Sequence, residues 1–430
     1  MATISPKNDP QRGEIKQKSP FEVERLQLQN RVAKLPASKS ISNRALVLNA
    51  LSGEEGRLEN VSDCDDTFVM QRALSQKKDY TEKQAEVCHI DIMAAGTSMR
   101  FLTAYLCTRE GTWEITGTER MRQRPIRILV DALRRLGACI DYVESEGFPP
   151  LRIQGKTLEG GEMTLEGNVS SQYISALLMV GPTLAQGLTL RLTGGIVSRP
   201  YIDMTLKMMR DFGAEAAWEG EDCIRVRPTG YRSTPYTIEN DWSAASYWYE
   251  LVALTPGSSA VLPGLFRESM QGDQVVQDIF AQLGVESRFE QGGVVLSHNG
   301  QRCTRLDLDM LRCPDLAQTV VVSCCMLNVP FRITGLQSLK IKETDRIHAL
   351  RTELRKLGYV VNEAEDSILY WEGQRCAEVE QPAIDTYDDH RMAMAFAPCC
   401  QVRGCIRINH PEVVSKSYPN FFEAIGATKA

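Results

Sequence analysis

Apolar residues recur at three- and four-residue spacing in four stretches of the chain, and each stretch ends the same way. They are LVDALRRLGACIDY (Leu129–Tyr142), LKMMRDFGAEAAW (Leu206–Trp218), VVQDIFAQLGVESRF (Val275–Phe289) and LRTELRKLGYVVNE (Leu350–Glu363). That spacing places one apolar stripe on a helix. A glycine follows (Gly137, Gly213, Gly284, Gly358), suited to the left-handed conformation after a helix end, and then a short strand. The glycines are 76, 71 and 74 residues apart, and 430 residues divided by that period gives close to six units. Helix-glycine-strand is common in α/β proteins, but four matches at near-constant spacing favour a repeated unit. Three units per half predict two similar lobes that break at Tyr236–Trp242, where Asp241 or Ser243 caps a new helix. Two hinged lobes predict a cleft that closes on a ligand.

Polar residues cluster where these and other helices begin. LPASKSISNRALVLNAL (Leu35–Leu51) sets Ser38, Lys39, Ser40 and Arg44 at a helix start; AAGTSMRFL (Ala94–Leu102) adds Gly96, Thr97, Ser98 and Arg100. ERMRQRP brings Arg120, Arg122 and Arg124 ahead of Pro125, which suits the first turn of the next helix. VSSQYISALLM gives Ser170, Ser171 and Gln172, and SRPYID gives Ser198 to Asp203. Unpaired amides and the helix dipole make such starts good anion sites. The Gly-rich lead-in of a Walker loop is missing. In the second half carboxylates join in: Asp315 in RCPDLAQ, Lys340, Lys342, Glu343, Asp345 and Arg346 in LKIKETDRI, Asp388 to Arg391 in DDHR, and Lys416 in VSKSY. Singly, Asp315, Asp345 and Asp389 read as helix caps. Together, acids and bases at converging helix starts both bind phosphates and move protons.

Composition narrows the alternatives. Hydrophobic residues are 43% and charged residues 24%, ordinary for a folded chain of two to four domains. A net charge of −6 and a pI near 5.6 argue against a nucleic-acid partner bound through overall charge. Two long uncharged stretches, Ser170–Leu190 and Leu316–Phe331, read as buried core helices rather than membrane spans. The polar first twenty residues lack the apolar run of a signal peptide, so a cytoplasmic chain with reduced cysteines is expected. The thirteen cysteines are scattered, and with five histidines they give no metal-ligand spacing. No metal or cofactor is expected.

The segments LP-x-SKS-x-SNRAL, AGT-x-MR, RP-x-x-x-LVDALR-x-x-GA, SSQ-x-x-x-ALLM, SRPYID-x-T, KETDR, DHRMAMAF and SKS-x-P-x-FF stand in this order from about residue 30 to 425. In that set the chain resembles the enolpyruvyl transferases, in the branch that uses shikimate 3-phosphate. The resemblance implies a two-domain inside-out α/β barrel, each domain three βαβαββ repeats with inner helices and outer sheets. It implies domains of 38–240 and of 1–37 with 241–430, and an active site in the cleft between them. The implied reaction moves the carboxyvinyl group of phosphoenolpyruvate to the 5-hydroxyl of shikimate 3-phosphate, on the path to chorismate and aromatic amino acids. It needs no cofactor, membrane or nucleic acid, and a monomer is implied.

By motif match the resemblance assigns Lys39, Ser40, Arg44, Ser170, Ser171, Gln172, Ser198, Tyr201, Asp315 and Lys342 to shikimate 3-phosphate. Lys39, Gly96, Arg124, Gln172, Arg346, Arg391 and Lys416 are assigned to phosphoenolpyruvate. Asp315 is the expected base at the 5-hydroxyl, Glu343 and Lys39 are the proton partners, and His390 assists. Three positions depart from the family pattern: Ala94 and Ser338 replace Asn, and Phe101 replaces Pro. Loss of two amides is expected to weaken binding, and Phe101 to reshape the helix behind Gly96. All three bear on the response to glyphosate, the family's phosphoenolpyruvate-competitive inhibitor. The sister enzyme acting on UDP-N-acetylglucosamine begins its segment Ser-Lys-Asn and carries a loop cysteine; here the segment is Ser38-Lys39-Ser40 and Arg120–Pro125 has no Cys. A non-catalytic anion or RNA-end binder would keep the arginines without needing Asp315 and Glu343.

Overall fold

The computed structural model describes residues 19–53, 56–83, 87–290 and 292–427; the expected pairing of Met1 to Lys18 lies outside them. Six sheets organise the chain, four of them with four strands. In one, Cys88–Asp91 runs parallel to Gly111–Thr116, which pairs antiparallel with Leu151–Gly155, and that strand with Cys139–Tyr142. Helices Gly96–Cys107 and Arg127–Arg135 make the two connections, so the order is βαβαββ. The sheets starting at Gly161–Glu166 and at Leu306–Asp309 repeat this order and register. In a fourth, the first strand is Arg31–Val32, which pairs with Ser259–Pro263 more than 220 positions later. Two reduced sheets complete six units: Tyr236–Thr237 with Leu58–Glu59, and Phe21–Glu24 with Cys405–Ile408 and Ala383–Ile384.

The period of the glycines has a physical origin. Gly137, Gly213, Gly284 and Gly358 each follow the second helix of a four-stranded unit with φ of +98°, +85°, +95° and +86°. After three of them the next amide reaches back to the helix (Ala138 to Leu133, Ala214 to Met209, Tyr359 to Leu354), closing the last turn before the hairpin begins.

Helices occupy the interior. Every residue of Ala317–Leu327 is buried, and in Gly96–Cys107 and Trp242–Ala253 all but one. Strand Leu151–Gly155 alternates buried and exposed, as expected of a sheet with one wet face. Side chains from Ala37 to Ile238 form one apolar core; Val23 to Leu35 join Trp242 to Ala427 in a second. The chain crosses between them twice, where Ser38 N–H donates to the Glu239 carbonyl and Asp241 N–H to that of Pro36. Asp241, not Ser243, caps the new helix, accepting from the Ala244 amide at 2.7 Å. Pro125 is not in the first helical turn: Ile126 takes the cap position, and the Pro125 carbonyl accepts from the Tyr173 hydroxyl at 2.6 Å instead. All thirteen cysteines are free, and no helix among the described residues is long and apolar enough to cross a membrane.

Candidate active site

The inner helices of the first core start at one end of it, and their first turns carry the polar motifs. Lys39 opens the first helix and forms an ion pair with the buried Asp66 at 3.1 Å. Burial alone would discharge Lys39, but Asp66 outweighs it and holds the ammonium above its ordinary pKa. Gly96 opens the next, and a Cβ there would stand 2.6 Å from Nη1 of Arg124. Only a glycine lets that guanidinium lie against the backbone. Gln172, one residue into its own helix, donates to the Thr97 hydroxyl at 3.1 Å. Ser198 precedes Arg199–Asp211 in the left-handed conformation (φ +55°), and Tyr201 follows in the first turn.

Arg44 is held from several sides: it donates to Thr205 Oγ1 (2.7 Å), the Ser40 carbonyl (2.9 Å) and Ser175 Oγ (3.1 Å). Phe101 lies 5.2 Å from its guanidinium, so the aromatic ring at the departing position braces a cation and the helix stays intact. Burial lowers Arg44 to about 10, which leaves it charged at neutral pH.

The second core supplies acids interleaved with bases. Asp315 is no helix cap; its carboxylate meets Arg391 at 3.0 Å, Arg346 at 3.1 Å and Lys342 at 3.7 Å. Glu343 meets Arg346 and Lys416, each at 2.9 Å. Asp389 caps its helix through the Arg391 amide and also grips Arg346 at 2.6 Å, while Asp345 only caps. Burial opposes ionisation of Asp315, yet Arg391, Lys342 and Arg346 hold it well below the usual carboxylate range. Lys416 and Arg346 do the same for Glu343. His390 is driven the other way: burial, Lys39 and Arg391 keep it neutral, and neither ring nitrogen has a partner among the described residues.

The two walls face one cavity of about 360 Å³. Lys39, Ser40, Arg44, Gly96, Arg124, Ser170, Ser171, Gln172, Ser198 and Tyr201 line it from the first core, and Asp315, Lys342, Glu343, Arg346 and Arg391 from the second. Lys416 stands behind Glu343, reaching the cavity through that ion pair. Tyr201 spans the two walls, its hydroxyl donating to Asp315 at 3.4 Å. Of the three arginines in ERMRQRP only Arg124 takes part; Arg122 pairs with Glu144 outside. Sequence reasoning missed Asp66, which reads as an ordinary helix start in SDCDDTF, and Ser243 and Tyr247, which read as core. Ser338 lines the cavity with an unpartnered hydroxyl, whereas Ala94 is exposed and outside it.

Fold and cavity define a two-core α/β protein that holds small polyanions between opposed helix starts and sets ionised acids beside them. The comparisons with known proteins agree. The family model for EPSP synthase (3-phosphoshikimate 1-carboxyvinyltransferase) matches residues 24–425. The 3-phosphoshikimate 1-carboxyvinyltransferase of Bacteroides fragilis (strain YCH46) is 59% identical over 388 residues, 90% of this chain and 92% of that one. That of Vibrio cholerae serotype O1 (strain M66-2) is 38% identical over 409 residues, 90% and 94% of the two chains. A solved EPSP synthase from Acinetobacter baumannii shares the fold with a TM-score of 0.73 at 21% identity, covering 95% of this chain and 97% of its own. The chain belongs to the EPSP synthase family.

Proposed function

We propose that the cavity binds shikimate 3-phosphate and phosphoenolpyruvate together, and that Asp315, Glu343 and Lys39 move the protons of the reaction. The reaction is that of the family: the enolpyruvyl group passes to the 5-hydroxyl of shikimate 3-phosphate and phosphate is released. One observation carries the site reading. A single cavity gathers, from both cores, the residues that four anionic substrate groups require.

Ser40, Arg44, Ser170, Ser171, Gln172, Ser198, Tyr201 and Lys342 surround the phosphorylated ring, with Asp315 at its 5-hydroxyl. Arg124 against Gly96, with Gln172, Arg346, Arg391, Lys416 and Lys39, takes phosphoenolpyruvate. Arriving anions compete with Asp315 for Arg346 and Arg391, and as these turn to substrate the carboxylate regains basicity. Asp315 then takes the hydroxyl proton while the oxygen bonds to C2, and the charged Lys39 gives a proton to C3. In the elimination the ionised Glu343 takes a proton back from C3 as the C2–O bond to phosphate breaks. Residues 38–240 form one domain and 1–37 with 241–430 the other, in a cytoplasmic monomer inhibited by glyphosate.

The test is phosphate release by Lys39→Met, Asp315→Ala and Glu343→Ala. Each is expected to fall by about 100-fold or more. Normal turnover in all three overturns the assignment.

A further inference from the structure

Gly272 sits where three elements meet. A Cβ on it would stand 2.7 Å from Cβ of Pro200, in the first turn that carries Tyr201, and 3.5 Å from the carbonyl oxygen of Arg312, just before Asp315. No side chain fits there, so the loop is wedged between the two segments whose tips, Tyr201 and Asp315, touch across the cavity. Its other end is tied to the crossover between the cores: the Gln271 amide donates to Glu239 at 2.9 Å and to the Asn240 carbonyl at 2.8 Å. The next residue, Asp273, is buried and accepts a short hydrogen bond from the Ser243 hydroxyl, and Ser243 itself lines the cavity. The proton transfers proposed above make no use of Asp273.

We propose that Asp273 is a positioning residue for proton transfer: from behind Ser243 its carboxylate faces Asp315 as a like charge and keeps that base strong enough to take the substrate's proton. This rests on the reading of Asp315 as the base. In the empty cavity three cations suppress the basicity of Asp315. Substrate anions relieve that suppression, and a fixed negative charge on the far side drives the proton affinity up further. The groups facing Asp273 are Asp315 and Cys313 from the segment after Arg312, Arg391 from its helix start, Asp241 at the crossover and Tyr201 from the opposite core. Burial and Asp315 push Asp273 itself up to about 7, against the opposing pull of Ser243 and Arg391. It therefore ionises across the neutral range.

Asp273→Asn keeps the acceptor for Ser243 and removes the charge. The expected result in the kcat pH profile is an acidic limb displaced to lower pH by about half a unit or more, because Asp315 without its like-charged neighbour ionises more readily. Turnover at neutral pH falls about tenfold as the base weakens, while KM for both substrates stays within about twofold. An acidic limb that stays in place, or a change confined to KM, overturns the proposal. Should that variant fail to fold, Ser243→Ala leaves both carboxylates but removes the donor that favours ionised Asp273. Its acidic limb is expected to move the same way, and an unmoved limb overturns the proposal equally. Wild-type protein that releases no phosphate would instead defeat the functional reading, before any variant is compared.

Discussion

The backbone of Gly96 and the guanidinium of Arg124 occupy one another's van der Waals limit: a Cβ on residue 96 would lie 2.6 Å from Nη1 and 3.1 Å from Cζ. Gly96 carries no positive φ, so space and not backbone conformation fixes the residue type there. In Gly96→Ala the guanidinium, the far end of a flexible side chain, shifts instead of the helix. Folding is therefore expected to survive, with KM for phosphoenolpyruvate raised about tenfold and that for shikimate 3-phosphate unchanged. Steady-state kinetics in both substrates check this, and an equal rise in the two KM values would contradict it.

Lys39 and Asp66 form a pair of which Asp66 is almost wholly buried. Removing the cation leaves that carboxylate uncompensated, so Lys39→Met is expected to cost about 2–3 kcal/mol of stability as well as turnover. The helix-start position of Lys39 alone would suggest an innocuous change to the fold. Adding Asp66→Asn is expected to restore much of the stability and none of the turnover. Denaturant unfolding of the single and double variants, beside phosphate release, separates the two effects.

Asp315 competes with substrate for Arg346, Arg391 and Lys342. Asp315→Ala is accordingly expected to bind inorganic phosphate more tightly than wild type while turning over about 100- to 10,000-fold more slowly. Calorimetric titration with phosphate gives the first quantity. Weaker phosphate binding would show that the carboxylate does not restrain those cations.

Glu250 lies fully buried in the helix Trp242–Ala253, and neither carboxylate oxygen has a hydrogen-bond partner among the described residues. Burial pushes it well above the usual carboxylate range. The folded chain therefore holds a proton that the unfolded chain releases above about pH 4.5. Its stability contribution is whole below that pH and is lost as pH rises toward the folded-state value, by about 1.4 kcal/mol per unit. Glu250→Gln removes this dependence, so the variant's advantage in Tm is expected to widen between pH 6 and pH 8.5. A constant difference across that range would contradict it.

Much of the fold was legible because its unit repeats locally. A helix, a left-handed glycine and a strand recur in sequence as they do in space, and helix starts announce themselves by Ser38, Ser170, Asp345 and Asp389. The first strand of one sheet was not legible from that period: Arg31–Val32 joins Ser259–Pro263 from the far side of the chain. The site was legible where it rests on charged motifs at helix starts. It was hidden where residues act through partners from other units, as Asp66 does on Lys39 and Asp273 on Ser243. Phe101 was noticed as a departure, but its place beneath Arg44 depends on a packing of two helices that no local pattern encodes.

The central claim is that the cavity between the two cores joins phosphoenolpyruvate to shikimate 3-phosphate. Phosphate release from phosphoenolpyruvate by the purified protein, with shikimate 3-phosphate or UDP-N-acetylglucosamine as acceptor, tests it most directly. Release with shikimate 3-phosphate alone is the predicted result. Release with the nucleotide sugar alone, or with neither acceptor from folded protein, would contradict it.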